Sequence, residues 1–414
     1  MATTSSNRIF PLDVIRGVAV MGIFSVNVVA FAMIEGAYFN PGTYGGHTGA
    51  NLALWAANLV LIDGKMRSLF SMLFGASTLL VIERAEASGA SGPATHIRRM
   101  LVLLLFGLAH FYLVWFGDIL VGYALVGLVA FLFRRRPAHQ LFVLGCLFIL
   151  INMALFGLMV SHMLRLDHAA HAAGATAEQV RGWNDFGRMF YPFPADVAQD
   201  LAIYRGSFGT RLHEMVTARL TEPLRGSLFF GWETLGLMLL GMAAYKSGFL
   251  TGSWDDRSYR KVAGWCLGIG ALAFAALVAA DFASRFYIPT LFGGFLVATA
   301  PFRVAMAFGY AALIILLSRR MGPFAQRVAA AGRCAFSNYL GTSIIAAFVF
   351  YGWGQGLYGR VSRFEAWLLV PVVWLVMLAW SKPWLTRFRY GPFEWAWRTL
   401  SRFELQPMRK PLPA

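Results

Sequence analysis

Residues 10–34 read FPLDVIRGVAVMGIFSVNVVAFAMI. From Gly17 to Ile34 the stretch runs 18 residues without a charge. At about 1.5 Å of rise per residue a helix of that length reaches roughly 27 Å, close to the hydrocarbon thickness of a bilayer. Asp13 and Arg16 stand at its foot, three residues apart and so on one helix face, where they can pair. Asn27 sits near its middle, where an amide can hydrogen-bond to a neighbouring helix. The stretch predicts a membrane span with a charged foot and a polar group at depth.

Working outward, the whole chain fits that reading. Of its 414 residues 58% are hydrophobic and only 14% charged, with a mean hydropathy of +0.59. A soluble domain carries roughly 25% charged residues. The apolar runs are continuous rather than alternating, which argues for helices and against an outer-membrane barrel. The expected fold is an all-α, polytopic membrane protein, one transmembrane domain over 1–414. About ten spans are expected: 17–34, 66–82, 100–116, 119–133, 140–163, 227–245, 262–280, 295–317, 335–351 and 365–381. The third and fourth, joined by Gly117-Asp118, predict a tight hairpin. Residues 164–226, between the fifth and sixth spans, form a long extracytoplasmic loop of short capping helices; 382–414 form a cytoplasmic tail. The stretch 51–62 is too short to cross and either lies in the interface or extends the second span.

The net charge of +16 is topological rather than a sign of nucleic acid, for no aromatic-basic module accompanies it. With the N-terminus inside, segments at the inner face hold 23 Lys and Arg, Arg8 among them, against 6 at the outer ends and short outer loops. The long loop does not vote, since long loops translocate regardless of charge. Both termini are therefore expected in the cytoplasm. The three cysteines, Cys146, Cys266 and Cys334, are odd in number and form no CxxC, so neither a disulfide framework nor a metal site is expected.

Polar residues inside spans are the candidate site, because they are costly in lipid. His110 lies seven residues before Gly117, about 10 Å below the outer end of its helix. Glu233 enters from the same face to a similar depth, so the two suit an acid–base pair. A histidine held for packing and a neutral carboxyl lining a cavity are the plainer alternatives. Asp118, at the hairpin tip, is placed to cap the following helix. On an ideal continuous helix it stands roughly 12 Å above His110, so the two are not paired in this reading. Lys65 and Arg67, beside Asp63, open the second span at the outer face, where they snorkel or hold an anionic substrate. At the inner face Arg16, Arg98, Arg99 and Arg333 either orient the chain or receive a phosphate-rich cofactor from the cytoplasm.

Several motifs carry a resemblance: LDVIRGVAVMGIFSVNVVAF, LAHFYLVWFGDILVGYALVGL, GWETLGLMLLGMAAYKSGFL, GRCAFSNYL and FRYGPFEWAWRTL. Together they resemble the YeiB family of bacterial inner-membrane proteins, from near Leu12 to about Leu400. That family is grouped with the transmembrane acyltransferases, whose LDxxRG entry to the first span is similar. The resemblance implies about ten helices, the inner (plasma) membrane, and acyl transfer from cytoplasmic acyl-CoA to a hydroxyl or amine acceptor at the outer face. Lys65, His110, Asp118, Arg333, Asn338 and Tyr339 match its pattern. The resulting catalytic set is His110, Glu233 and Asp118. The binding set is Arg16, Asn27, Lys65, Arg98, Arg99, Arg333, Asn338 and Tyr339, with Asn27 or Tyr339 steadying the thioester oxygen. Acyl-CoA is the expected co-substrate, with no metal. The expected partners are the bilayer and a small-molecule or glycan acceptor; a homo-oligomer is left open. The alternative function is a transporter or flippase of a small or lipid-linked metabolite, in which His110, Glu233 and Lys65 line the pathway.

Overall fold

A computed structural model of the chain describes residues 9–188, 190–320 and 322–410. Arg8 and residues 411–414 of the expected tail lie outside them. The first helix, α1 (Phe10–Ala32), starts with Pro11, whose fixed φ suits a first turn. After a single turn, α2 (Gly36–Phe39), come α3 (Gly49–Leu61) and α4 (Lys65–Ala87), joined at Gly64, which takes the left-handed φ of +71° that this corner needs. The hairpin is α5 (Gly92–Leu113) and α6 (Leu120–Ala130), the latter tightening to a 3₁₀ turn at Phe131–Phe133. Next is α7 (Ala138–His171), followed by three short helices, α8 (Ala177–Gly187), α9 (Pro194–Arg205) and α10 (Phe208–Thr217). Then come α11 (Glu222–Lys246), α12 (Asp256–Ala283) and α13 (Ile288–Phe292), which runs through a π-turn, Gly293–Ala298, into α14 (Ala300–Ser318). The chain ends with α15 (Gly322–Arg333), α16 (Ala335–Phe350), α17 (Arg363–Trp367), α18 (Leu369–Arg387) and α19 (Pro392–Arg402).

Among the described residues eight helical segments are long and apolar enough to cross a membrane: Phe10–Ala32, Gly49–Ala87, Gly92–Leu113, Ala138–His171, Glu222–Lys246, Asp256–Ala283, Ala300–Ser318 and Arg363–Arg387. The two further expected spans fall on α6 and α16, which are apolar but shorter. The fifth helix of the expected ten, α7, runs on to His171, past the expected loop start at Leu164, and buries Met163 against Phe190 and Ile288. The stretch at 51–62 forms α3, whose Trp55 and Leu59 pack on Phe274, Leu277 and Leu291.

Burial sorts the helices. The apolar window of α1 is 72% buried and that of α11 67%, against 22% for α12 and 28% for α7. So α1 and α11 form the centre, and α7 and α12 the rim. The rim exposes Leu158, Trp265 and Leu272, and α18 adds Leu375, an apolar belt that water does not favour and hydrocarbon does. Small residues let the central helices touch: a Cβ on Gly241 of α11 would run into the Met72 carbonyl of α4, and one on Gly332 of α15 into the Asp13 carbonyl of α1. In hydrocarbon, where apolar burial gives no preference between helix and lipid, such close backbone contact supplies the association.

Candidate functional site

At the end that holds the foot of α1, a cavity of about 260 Å³ opens between α1, α4, α5, α16 and α19. Six guanidinium groups line it: Arg16, Arg84, Arg99, Arg333, Arg389 and Arg398. Arg16 is fixed by Asp13 at 3.1 Å, the pairing that their spacing predicts, and by Ser77 Oγ at 3.0 Å. Arg99 stacks its guanidinium 4.1 Å from the Trp397 ring, whose Nε1 donates to the Arg99 carbonyl at 2.9 Å. The acidic counterweights are Asp13 and Glu394. Glu394 is occupied: its carboxylate accepts the backbone N–H of Phe336 at 2.7 Å and of Ser337 at 3.1 Å, together with the Ser337 hydroxyl. It thus caps the N-terminus of α16. Burial pushes its carboxyl above the ordinary range, opposed by those hydrogen bonds. Planar, forked and always charged, these arginines make the cavity mouth suited to phosphate or carboxylate.

Deeper, the walls turn apolar, with Leu103, Leu120 and Phe336, and then reach Tyr339. The Tyr339 hydroxyl accepts the Ile119 N–H at 3.4 Å, which leaves its own proton to donate. The Tyr339 ring lies 5.2 Å from the His110 imidazole. Here the structure corrects the separation expected for His110 and Asp118: His110 Nδ1 is 2.8 Å from Asp118 Oδ1, and both side chains are 1% exposed. The 12 Å figure assumed a helix running on through Asp118. Instead α5 stops at Leu113, and the chain folds Asp118 back over His110. The other Asp118 oxygen accepts the Val121 N–H at 2.8 Å, capping α6. An ionised carboxylate only accepts, so Nδ1 carries the proton and Nε2 presents a lone pair. That Nε2 is buried and has no partner among the described residues.

The other expected site residues are placed apart from this pair. Glu233 takes Arg303 at 3.2 Å (Nε) and 2.6 Å (Nη2) on one oxygen and Arg67 on the other, so both its oxygens are committed to arginines of α4 and α14. It forms no acid–base pair with His110. Nor does Lys65 snorkel: it is fully buried, donates to the Leu59 carbonyl and sits 3.0 Å from the Phe274 ring centroid. Asn338 is used as a bracket, donating to the Ala331 carbonyl at 3.0 Å and to Ser381 Oγ at 3.3 Å, and accepting from Trp380 Nε1 at 2.9 Å. Arg98 turns back to the Ala94 carbonyl of its own helix, outside the cavity lining. Asn27 is half-buried on the Arg16 face of α1, about 16 Å further along.

The chain matches, over residues 244–404, the family model described as "Protein of unknown function (DUF418)". It is 31% identical to the uncharacterized protein YxaH of Bacillus subtilis (strain 168), over 99% of this chain and 98% of that one. The chain belongs to the YeiB-like DUF418 family. The uncharacterized protein YeiB of Escherichia coli (strain K12) is also 31% identical, over 94% of this chain and 95% of its own. An uncharacterized 39.9 kDa protein from Bacillus acidopullulyticus is 24% identical over 95% of this chain and 94% of its own. No solved structure matches.

Sequence reasoning missed half of this YeiB-like cavity. Arg84 and His96 carry no motif. Another wall is α19, part of the expected cytoplasmic tail, although FRYGPFEWAWRTL held the signal: Pro392 begins a helix, Glu394 follows two residues later, and Phe393 and Trp397 share a face at i, i+4. That face packs on Phe336 and brings Arg389 and Arg398 to the cavity.

Proposed function

We propose that this chain is an acyltransferase of the bacterial inner membrane, passing an acyl group from cytoplasmic acyl-CoA to a hydroxyl or amine acceptor at the opposite face. The observation that carries the reading is the continuity of the arginine-lined cavity with Tyr339 and, against it, the buried His110–Asp118 pair. In this reading the CoA phosphates meet Arg16, Arg99 and Arg333, and the pantetheine arm follows the Leu103–Phe336 wall. Arg99 and His110 are eleven residues apart on α5, about 16 Å. An arm of about thirteen bonds, extended at ~1.2 Å per bond, covers about the same length. His110 Nε2 takes the proton of the acceptor as its oxygen or nitrogen bonds to the thioester carbon. The intermediate collapses, the C–S bond breaks, and the proton passes from His110 to the departing thiolate. Asp118 fixes the tautomer and steadies the imidazolium, and the Tyr339 hydroxyl donates to the carbonyl oxygen as charge develops there.

The same reading adds α6 and α16 to the eight long spans, for ten in all, and puts both termini in the cytoplasm. The 23-to-6 basic asymmetry supports that orientation. Thermal melting of the purified protein with acetyl-CoA and longer acyl-CoAs tests the function, because a ligand of the folded state raises the melting temperature. No shift with any acyl-CoA would overturn it.

A further inference from the structure

His110 also borders a second cluster, beneath α9 and α10. The Trp115 ring is 6.5 Å from the imidazole, and Phe31 lies between Trp115, at 4.2 Å, and Tyr351, at 6.3 Å. Tyr351 in turn packs on Tyr204 at 5.2 Å and lies 5.7 Å from the Arg211 guanidinium. Arg211 of α10 reaches the carbonyls of Tyr112, at 3.2 Å, and Leu113, at the end of the helix that carries His110. All four polar side chains are deeply buried: Arg211 is 1% exposed, Tyr351 0%, Tyr204 3% and Trp115 3%.

What sets this cluster apart is the polarity of its uncommitted atoms. Arg211 Nε and Nη1, the Tyr204 and Tyr351 hydroxyls and Trp115 Nε1 are buried without a hydrogen-bond partner among the described residues. Every one can donate, and the arginine and indole groups can only donate. Capping the last carbonyls of α5 accounts for Arg211 Nη2 alone. Of the nearby carboxylates, Asp200 accepts the Tyr358 hydroxyl at 2.7 Å and Glu35 accepts Arg219 at 2.9 Å, and among the described residues none forms an ion pair with Arg211. Among the described residues, then, Arg211 is a buried cation with no carboxylate of its own, an arrangement that protein interiors disfavour unless an anion completes it. The cation and the uncommitted donors of this cluster together suit a group rich in acceptor oxygens.

We propose that Arg211, Tyr204, Tyr351 and Trp115 form an oxyanion site that takes the phosphate or carboxylate of a hydroxyl- or amine-bearing acceptor. The site rests on the acyl-transfer reading only for calling its ligand an acceptor. It differs from the arginine-lined cavity in its residues, its helices and its side of Tyr339. Its ligand enters past the α9–α10 cap and brings its nucleophile toward His110.

The test is thermal melting of the full chain in lipid nanodiscs with three probes of similar size: glycerol 3-phosphate, glycerate and uncharged glycerol. Either anion, or both, should stabilise the protein in a saturable way, and glycerol should not. Tyr204→Phe and Tyr351→Phe each delete one hydroxyl that has no partner, so these variants should melt like the parent alone. Each should bind the anion roughly tenfold more weakly, with acetyl-CoA binding unchanged. Equal stabilisation by glycerol, no stabilisation of the parent by either anion, or undiminished anion binding in the doubly substituted Phe variant would overturn the site. If the anion binds through these hydroxyls while no acyl-CoA binds anywhere, the site stands and the acyl-transfer reading falls.

Discussion

Asp118→Asn isolates the pairing that folds back over His110. In the parent one Asp118 oxygen accepts His110 Nδ1 at 2.8 Å and the other accepts the Val121 N–H at 2.8 Å. An amide has one acceptor and one donor, so it cannot serve both. With its NH₂ toward His110, Nδ1 must accept, and the ring proton moves to Nε2, where the base is lost. With its NH₂ toward Val121, two donors meet in a buried site, at a cost of about 1–3 kcal/mol. Loss of the carboxylate also removes roughly 1 kcal/mol of stabilisation from the imidazolium, the difference between a charged and a neutral hydrogen bond. The competent form is therefore penalised by about 2–4 kcal/mol, a fall of about 30- to 1,000-fold in turnover. The assay is release of free CoA thiol from acetyl-CoA by protein in nanodiscs supplied with a polar bacterial extract. Acetyl-CoA affinity, read by melting, should be unchanged, since Asp118 lies outside the cavity lining. Parent-like turnover in a well-folded Asp118→Asn protein would refute the assignment of His110 as a base set by Asp118.

Other outcomes follow from the same geometry. His110→Gln should lower turnover by roughly 100-fold or more while sparing acetyl-CoA binding, measured by the same thiol release and melting. Replacing Arg16 and Arg333 with Gln should weaken acetyl-CoA binding, most at low ionic strength, because salt screens the attraction; titrations at two salt concentrations decide it. Asn338→Ala strands Trp380 Nε1 and the Ala331 carbonyl, and should cost about 1–3 kcal/mol of stability, read by denaturation. Burial raises the Glu394 carboxyl, so its contribution to stability is full below the unfolded value of 4.5 and is lost as pH rises through the higher folded value. Glu394→Gln should therefore lose less stability than the parent in melts from about pH 4 to 7.

The membrane class, most of the long helices and the basic end were legible because each rests on local chemistry: 18 uncharged residues at 17–34, or the Arg98-Arg99 step beside Met100. What depended on where a helix stops was not. His110 and Asp118 were separated by extending α5 five residues too far, and the turn that joins them has no strong breaker before Gly117. Partner identity between distant helices was equally hidden. Glu233 and Arg303 are seventy residues apart, and nothing in either segment names the other. Lys65 read as an interfacial cation because it opens a span beside Asp63 and Arg67. Its burial comes from Phe274 on α12, a contact across more than two hundred residues. Asn338 matched a family motif, and its three bonds to α15 and α18 account for it without a ligand.

The most direct test is electron cryo-microscopy of the protein in nanodiscs with a ketone analogue of acetyl-CoA, in which a methylene replaces the reactive sulfur. The phosphates should lie between Arg16, Arg99 and Arg333, the arm extended along Leu103 and Phe336, and the acetyl carbonyl beside Tyr339 within reach of His110 Nε2. An analogue bound elsewhere, or one whose carbonyl lies away from His110 with its phosphates off the arginine cluster, would contradict the acyl-transfer reading.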